Sequence, residues 1–186
     1  MAKLPVCKLE HFGINVVDID RMQRFYCEIF GFIVNDRGVR FNGQRVVFLT
    51  KSAMHHHELV LIEGRPTDST YNPINQISFV FGSLDDLRLC FERLTAVGIT
   101  GIAQVNHGNA WSLYTRDPEG NPLELFTDSP WHTPQPCKGE LDISRPTELI
   151  LRETEELCRS RDGFMLREHW IAQVEARFRQ AAEVAG

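Results

Sequence analysis

The feature that most constrains this chain is an internal repeat. The segment LEHFGINVVDIDRMQRFYCEIFGF, from Leu9, aligns with INQISFVFGSLDDLRLCFERLTAVGI, from Ile74, with His11 falling 65 positions before Gln76. Each copy opens on an alternating run. Phe12, Ile14 and Val16 oppose His11, Gly13 and Asn15 in the first, and Ile77, Phe79 and Phe81 oppose Gln76, Ser78 and Val80 in the second. Period-two alternation predicts a strand with one buried face.

Each strand runs into a helix start. Asp18-Ile19-Asp20 and Ser83-Leu84-Asp85-Asp86 carry residues that cap helix N-termini and suit the first turn. Met22, Phe25, Tyr26 and Ile29 follow at helical spacing in one copy, and Leu84, Leu87, Cys90, Phe91 and Leu94 in the other. Gly31 and Gly98 stand where helices commonly end. Three strand-like runs then follow in each copy: Phe32–Asp36, Val46–Leu49 and Glu58–Glu63, then Gly101–Val105, Ala110–Arg116 and Leu123–Thr127. Turn chemistry separates them at Phe41-Asn42-Gly43-Gln44 and at Asp117-Pro118-Glu119-Gly120-Asn121. The expected fold class is α+β, with paired βαβββ modules.

After Asp128 the character changes. Pro130, Pro134 and Pro136 mark an irregular linker, and Ser144 or Thr147 is placed to cap a helix reaching about Ser160. A second helix is expected from about Leu166 to Val184, with Trp170, Val174 and Phe178 on one stripe. The expected organisation is one domain over residues 1–130, its modules at about 6–65 and 72–128, then a linker and helical extension over 131–186. The extension is too small to be a domain and is expected to pack on the body or on a second subunit.

Bulk properties exclude some functions. The net charge is -5, whereas a nucleic-acid-binding protein usually shows a basic face, and anionic membranes would not attract it. There is no run of apolar residues long enough to span a bilayer. The opening residues lack a secretory pattern, and the scattered cysteines Cys7, Cys27, Cys90, Cys137 and Cys158 lack CxxC spacing, as in a cytoplasmic protein with reduced thiols.

The repeat also selects polar residues. A pseudo-twofold puts matching positions together, so His11 matches Gln76, and Glu58 lies within one residue of matching Glu124. On the last strands, Leu59 and Leu61 oppose Glu58, and Leu123 and Leu125 oppose Glu124. His11, Glu58, Gln76 and Glu124 are therefore expected to face one cleft, where imidazole, carboxylate and amide oxygen suit a divalent first-row metal with open positions.

These motifs, together with SLYTRDPEGNPLELF at residues 112–126, resemble the vicinal-oxygen-chelate superfamily of glyoxalase I, type I extradiol dioxygenases, and fosfomycin- and bleomycin-resistance proteins. The resemblance covers about residues 6–130. It implies a curved mixed sheet around a metal cleft, with His11, Gln76 and Glu124 at the dioxygenase ligand positions and Glu58 at the fourth position used in glyoxalase I. Dioxygenases have histidine where this chain has Gln76; glyoxalase I relatives do use glutamine. Asn106-His107-Gly108 followed by Ser112-Leu113-Tyr114 looks like the dioxygenase segment whose histidine and tyrosine contact substrate oxygens, which implies catalytic roles for His107 and Tyr114. The run Met54-His55-His56-His57 resembles the segment carrying an acid–base histidine, a role that falls to His57.

Three functions follow from the resemblance. The first is an extradiol ring-cleaving dioxygenase using Fe2+ on a catechol-like substrate. The second is a glyoxalase-like lyase or isomerase using Zn2+, Ni2+ or Mn2+. The third is a metal-free small-molecule binder, because fold does not fix function. The partners expected are a small-molecule substrate and a second copy in a homodimer.

Overall fold

A computed structural model describes residues 7–68, 72 and 74–185. Gly186 and the first six residues, part of the opening stretch that lacks a secretory pattern, lie outside the described residues. The first module comprises β1 (Phe12–Val16), α1 (Ile19–Phe30), β2 (Ile33–Val39), β3 (Arg45–Thr50) and β4 (Leu59–Glu63). The second comprises β5 (Ile77–Val80), α2 (Leu84–Ala96), β6 (Ala103–Asn106), β7 (Ala110–Arg116) and β8 (Pro122–Asp128). The βαβββ repeat is present. Each first strand pairs in parallel with the last strand of its module, β1 with β4 and β5 with β8.

Local chemistry starts both helices as expected. Asp18 accepts from the Arg21 amide at 2.9 Å, and Ser83 Oγ from the Asp86 amide at 3.0 Å. Each satisfies an amide that the helix leaves without a partner. Gly31, at φ 70°, closes α1 in the left-handed conformation.

The apolar faces of the two sheets share one core. Ile14, Leu59 and Leu61 belong to the same buried cluster as Ile77, Leu123 and Leu125, each side chain contributing roughly 1.5–3 kcal/mol by leaving water. Helix α1 bridges the modules, with Phe30 stacked on Phe79 at 4.8 Å. The hydroxyl of buried Tyr26 donates to Asp117 in the β7–β8 turn at 3.0 Å. Burial pushes the Asp117 carboxyl up, and the Asn121 and Glu119 donors oppose that shift. Glu119 closes the seam, accepting from the Val17 and Asp18 amides at 2.9 and 2.7 Å. With the apolar faces sharing that interior, the opposite faces of β1 and β5 are left exposed, His11, Gly13 and Asn15 on one and Gln76, Ser78 and Val80 on the other.

The extension joins the same core through Trp131, Ile143, Ile150 and Cys158. It holds three short strands the sequence pattern did not indicate. β9 (Trp131–His132) pairs with β11 (Met165–Leu166), and β10 (Gly139–Glu140) adds to β6 at the edge of the second sheet. Helix α3 spans Thr147–Arg159 and α4 spans Arg167–Ala185. The expected Ser144 or Thr147 cap on α3 is not formed: Pro146 occupies the cap position without a side-chain bond. Ser144 Oγ instead bonds Asp142, and Thr147 Oγ1 accepts from Arg88. The buried Thr154 hydroxyl pins α3, accepting from Asn106 Nδ2 and Trp111 Nε1 at 2.8 Å each. On α4, Trp170 stacks on His132 at 5.1 Å, while Phe178 stays exposed. All the described cysteines are free, and among the described residues no helix is long and apolar enough to cross a membrane.

Candidate active site

The sequence-selected residues fall into two groups, one on each module. On β8 the alternation sends Leu123, Leu125 and Thr127 into the core and Glu124 and Phe126 to the open face. Glu124 sits opposite Tyr114 of β7 and Ser78 of β5. Its Oε1 accepts from Ser112 Oγ at 3.0 Å and from the Tyr114 hydroxyl at 2.7 Å. Its Oε2 accepts from Gln76 Nε2 and Ser78 Oγ, both at 2.8 Å. These donors occupy the lone-pair positions a carboxylate has.

The line continues outward. Tyr114 Oη lies 2.9 Å from His107 Nε2, and His107 Nδ1 lies 2.7 Å from the Cys137 carbonyl oxygen. A carbonyl only accepts, so Nδ1 carries a proton and Nε2 faces the tyrosine. Burial first, and then the Glu124 carboxylate, push the Tyr114 phenol up to about 12, so it keeps its proton at neutral pH. That single proton is shared between a carboxylate and an imidazole, a line along which a proton can move. A cavity of about 310 Å³ opens beside these groups, walled also by Phe126, Asp128 and Gln135. Trp111 of β7 is buried in the core against α3.

The second group lies on the first module. His11 is exposed just before β1, and its ring is 4.2 Å from that of His57. His57 Nδ1 lies 3.0 Å from His56 Nδ1, and Phe48 stands 5.1 Å from the His57 ring. Desolvation, with His11 and His56 adding to it, holds His57 below the ordinary imidazole value. His55 pairs with Glu10. Among the described residues, no hydrogen bond or ring contact joins His11 to Gln76 or Glu124.

Register moves Glu58 away from the position expected for it. Phe12 pairs with Leu59 and Gly13 with Val60, whereas Ile77 pairs with Leu123 and Ser78 with Glu124. The structural mate of Glu124 is therefore Val60. Glu58 precedes β4, and its carboxylate closes the β3–β4 loop by accepting from the Lys51 amide at 2.7 Å and the Thr50 hydroxyl at 3.3 Å. Ser78, Ser112 and Gln135 did not stand out as site residues in the sequence. Alternation on β5 and β7 places Ser78 beside Gln76 and Ser112 beside Tyr114, a signal that could have found the serines. Gln135 comes from the extension, and local pattern carries nothing that could have placed it there.

This pairing of βαβββ modules, each first strand parallel to the last strand of its module, is the architecture that the sequence resemblance implied. The family model of the Glyoxalase/Bleomycin resistance protein/Dioxygenase superfamily matches residues 8–125, and the chain belongs to that family. Over 127 residues it is 30% identical to biphenyl-2,3-diol 1,2-dioxygenase 2 of Rhodococcus globerulus, covering 66% of this chain and 63% of the relative. The chain thus spans under two thirds of that protein's length. Among solved structures it is similar to a glyoxylase/bleomycin resistance protein/dioxygenase domain from Frankia sp. EAN1pec. The TM-score is 0.59 and the identity 26%, over 67% of this chain and 93% of that one. A fosfomycin resistance protein from Listeria monocytogenes, complexed with Mn(II) and sulfate, shares the fold with a TM-score of 0.53 at 20% identity, over 67% of this chain and 95% of that one.

Proposed function

We propose that this chain is a metal-dependent enzyme that opens the ring of a catechol-like diol with dioxygen, working as a homodimer. The observation that carries the reading is the hydrogen-bonded line from His107 through Tyr114 to Glu124, which puts a proton carrier and a phenol donor beside a metal-type carboxylate. The likeness to a biphenyl-diol dioxygenase supports the same chemistry.

His11, Gln76 and Glu124 would hold the ion. One imidazole, one amide oxygen and one carboxylate suit a divalent first-row metal. The set fits once the Gln76 amide turns its oxygen inward, giving up its Nε2 bond to Glu124. The ion supplies a template for two adjacent substrate oxygens and, as Fe2+, the means to use dioxygen. The chain's own groups do the rest. Tyr114 donates to a substrate oxygen, His107 Nε2 takes the proton that a phenol releases, and Phe126 walls the ring. His57, beside His11, is the acid–base group of the opposite wall.

The dimer follows from the split between the modules. The ligand-bearing faces belong to different sheets whose apolar faces share one interior, so a second copy is the means of closing the site. A twofold partner, contributing the same surface in return, brings His11 of one protomer to the partner's Gln76 and the partner's Glu124. Exposed Leu9 and Met54, adjoining the histidines in sequence, supply apolar contact.

The glyoxalase-like reading draws on Gln76 but loses its fourth ligand, since Val60 stands at the mate position of Glu124. Loading the protein anaerobically with Fe2+ and presenting a panel of catechols in aerated buffer tests the proposal. Oxygen uptake with a coloured ring-opened product is expected; neither appearing with any catechol overturns it. Stoichiometric metal in fresh protein without oxygen uptake would favour the lyase chemistry, and no metal even after reconstitution would favour a binding protein.

A further inference from the structure

The extension that lies beyond the family match reaches into the site, and one segment of it does so through a set of matched bonds. The Gln135 side chain clasps the turn that carries His107. Its Nε2 donates to the His107 carbonyl at 2.9 Å, to Asn109 Oδ1 at 3.1 Å and to the Thr133 carbonyl at 3.3 Å. Its Oε1 accepts from the Cys137 amide at 2.9 Å. Three acceptors face the amide nitrogen and one donor faces the oxygen, so the orientation of the amide is determined by its neighbours. The same clasp presents the Cys137 carbonyl to His107 Nδ1 at 2.7 Å.

A second tether comes from beyond α3. The Arg161 guanidinium donates to the Pro136 carbonyl at 3.0 Å and the Pro134 carbonyl at 3.4 Å. The next residues continue into β10, where Gly139 pairs with Asn106 of β6. The strap of residues 133–137 is thus held at both ends and in its middle, with the Cys137 side chain buried.

The geometry points to Gln135 as a positioning residue that sets the tautomer of His107. A free imidazole in water favours the form with its proton on Nε2. In this site the Cys137 carbonyl holds the proton on Nδ1, and Nε2 is left as the nitrogen that exchanges a proton with Tyr114 and the substrate. The extension is therefore part of the active-site machinery. This inference rests on the proposed acid–base role of His107 for its meaning, though not for its test.

The test uses full-length protein with 15N-labelled histidine at a pH above the imidazole range. Long-range 1H–15N correlation reads the tautomer, and the His107 signals are assigned by their loss in His107→Gln. Native His107 is expected as a single Nδ1–H form. Gln135→Ala should release it toward the Nε2–H form, and Arg161→Ala should shift it in the same direction. Arg152→Ala, which removes an exposed arginine of α3 paired loosely with Glu156, should leave it unchanged. Far-UV circular dichroism checks that each variant is folded. An Nε2–H form in the native protein, or a native tautomer retained in folded Gln135→Ala, overturns the inference. With a turned-over catechol, Gln135→Ala should lower kcat about tenfold with KM little changed, in the range at which outer-shell partners act. A native protein that turns over no catechol defeats the proposed reaction and leaves the tautomer result to stand or fall alone.

Discussion

Equal amounts of His11→Ala and Glu124→Ala protein, mixed and allowed to exchange subunits, should recover about a quarter of native activity, although each alone should lose more than about 100-fold. The recovery follows from the composite site. Random exchange makes half the dimers mixed. In a mixed dimer one site collects both alanines and the other collects neither, so half its sites work. The losses follow from the ligand set: His11 is the one imidazole and Glu124 the one carboxylate in it. Glu124→Ala also strips the acceptor from the Ser112 hydroxyl, which is fully buried, while Tyr114 keeps His107 Nε2 to donate to. Leaving such a donor unpaired costs roughly 1–3 kcal/mol, so the variant's Tm should be measured beside its activity. Sedimentation must show that mixed dimers form. Exchange without recovery would mean that both ligands serve a site within one chain.

What could be read from the sequence divides according to how far its physical cause reaches. The Asp18 and Ser83 caps, the αL glycine at Gly31 and the alternation on β1, β5 and β8 depend on neighbours within a few residues, and they were legible. The Glu58 position depended on register. Register puts Val60, two residues beyond Glu58, at the mate position of Glu124 and leaves Glu58 in the β3–β4 loop, and an alternating pattern cannot report such an offset when both faces of the strand are apolar. β9, β10 and β11 are two residues each. Their pairing comes from tertiary contact and leaves no periodic trace. The α3 start failed for a similar reason, because distant Arg88 claims the Thr147 hydroxyl. The Glu124–Tyr114–His107 line was only half legible. Its β7–β8 part follows from facing strands, but the Cys137 carbonyl and the Gln135 clasp arrive from 28 to 30 residues beyond the histidine.

The tightest join between the family fold and its extension is at Gly108, and replacing it should cost more stability than any change at an ordinary turn glycine. Gly108 sits at φ 74°, and a Cβ there would lie 2.5 Å from Thr133 Cγ2 and 2.9 Å from Cys158 Sγ. Gly120 makes the natural comparison, since it has a similar φ of 81° and nothing within 4 Å of its would-be Cβ. Gly120→Ala should cost only the left-handed backbone penalty of about 1–2 kcal/mol. Gly108→Ala adds overpacking against two buried groups, a further 1–3 kcal/mol or so, for a total of roughly 2–5 kcal/mol out of the 5–15 typical of a domain. At this chain length that corresponds to a Tm lower by roughly 5–15 °C. Thermal scans of the two variants read the difference directly, and equal losses would mean that the extension yields easily at this contact. The functional loss should exceed what stability alone predicts. Gly108 follows His107 directly, and relief of the clash must push Thr133 and Cys158 outward, carrying the strap and its Cys137 carbonyl away from Nδ1. Assayed well below its own Tm, Gly108→Ala should therefore keep its fold and lose activity, whereas Gly120→Ala should keep both.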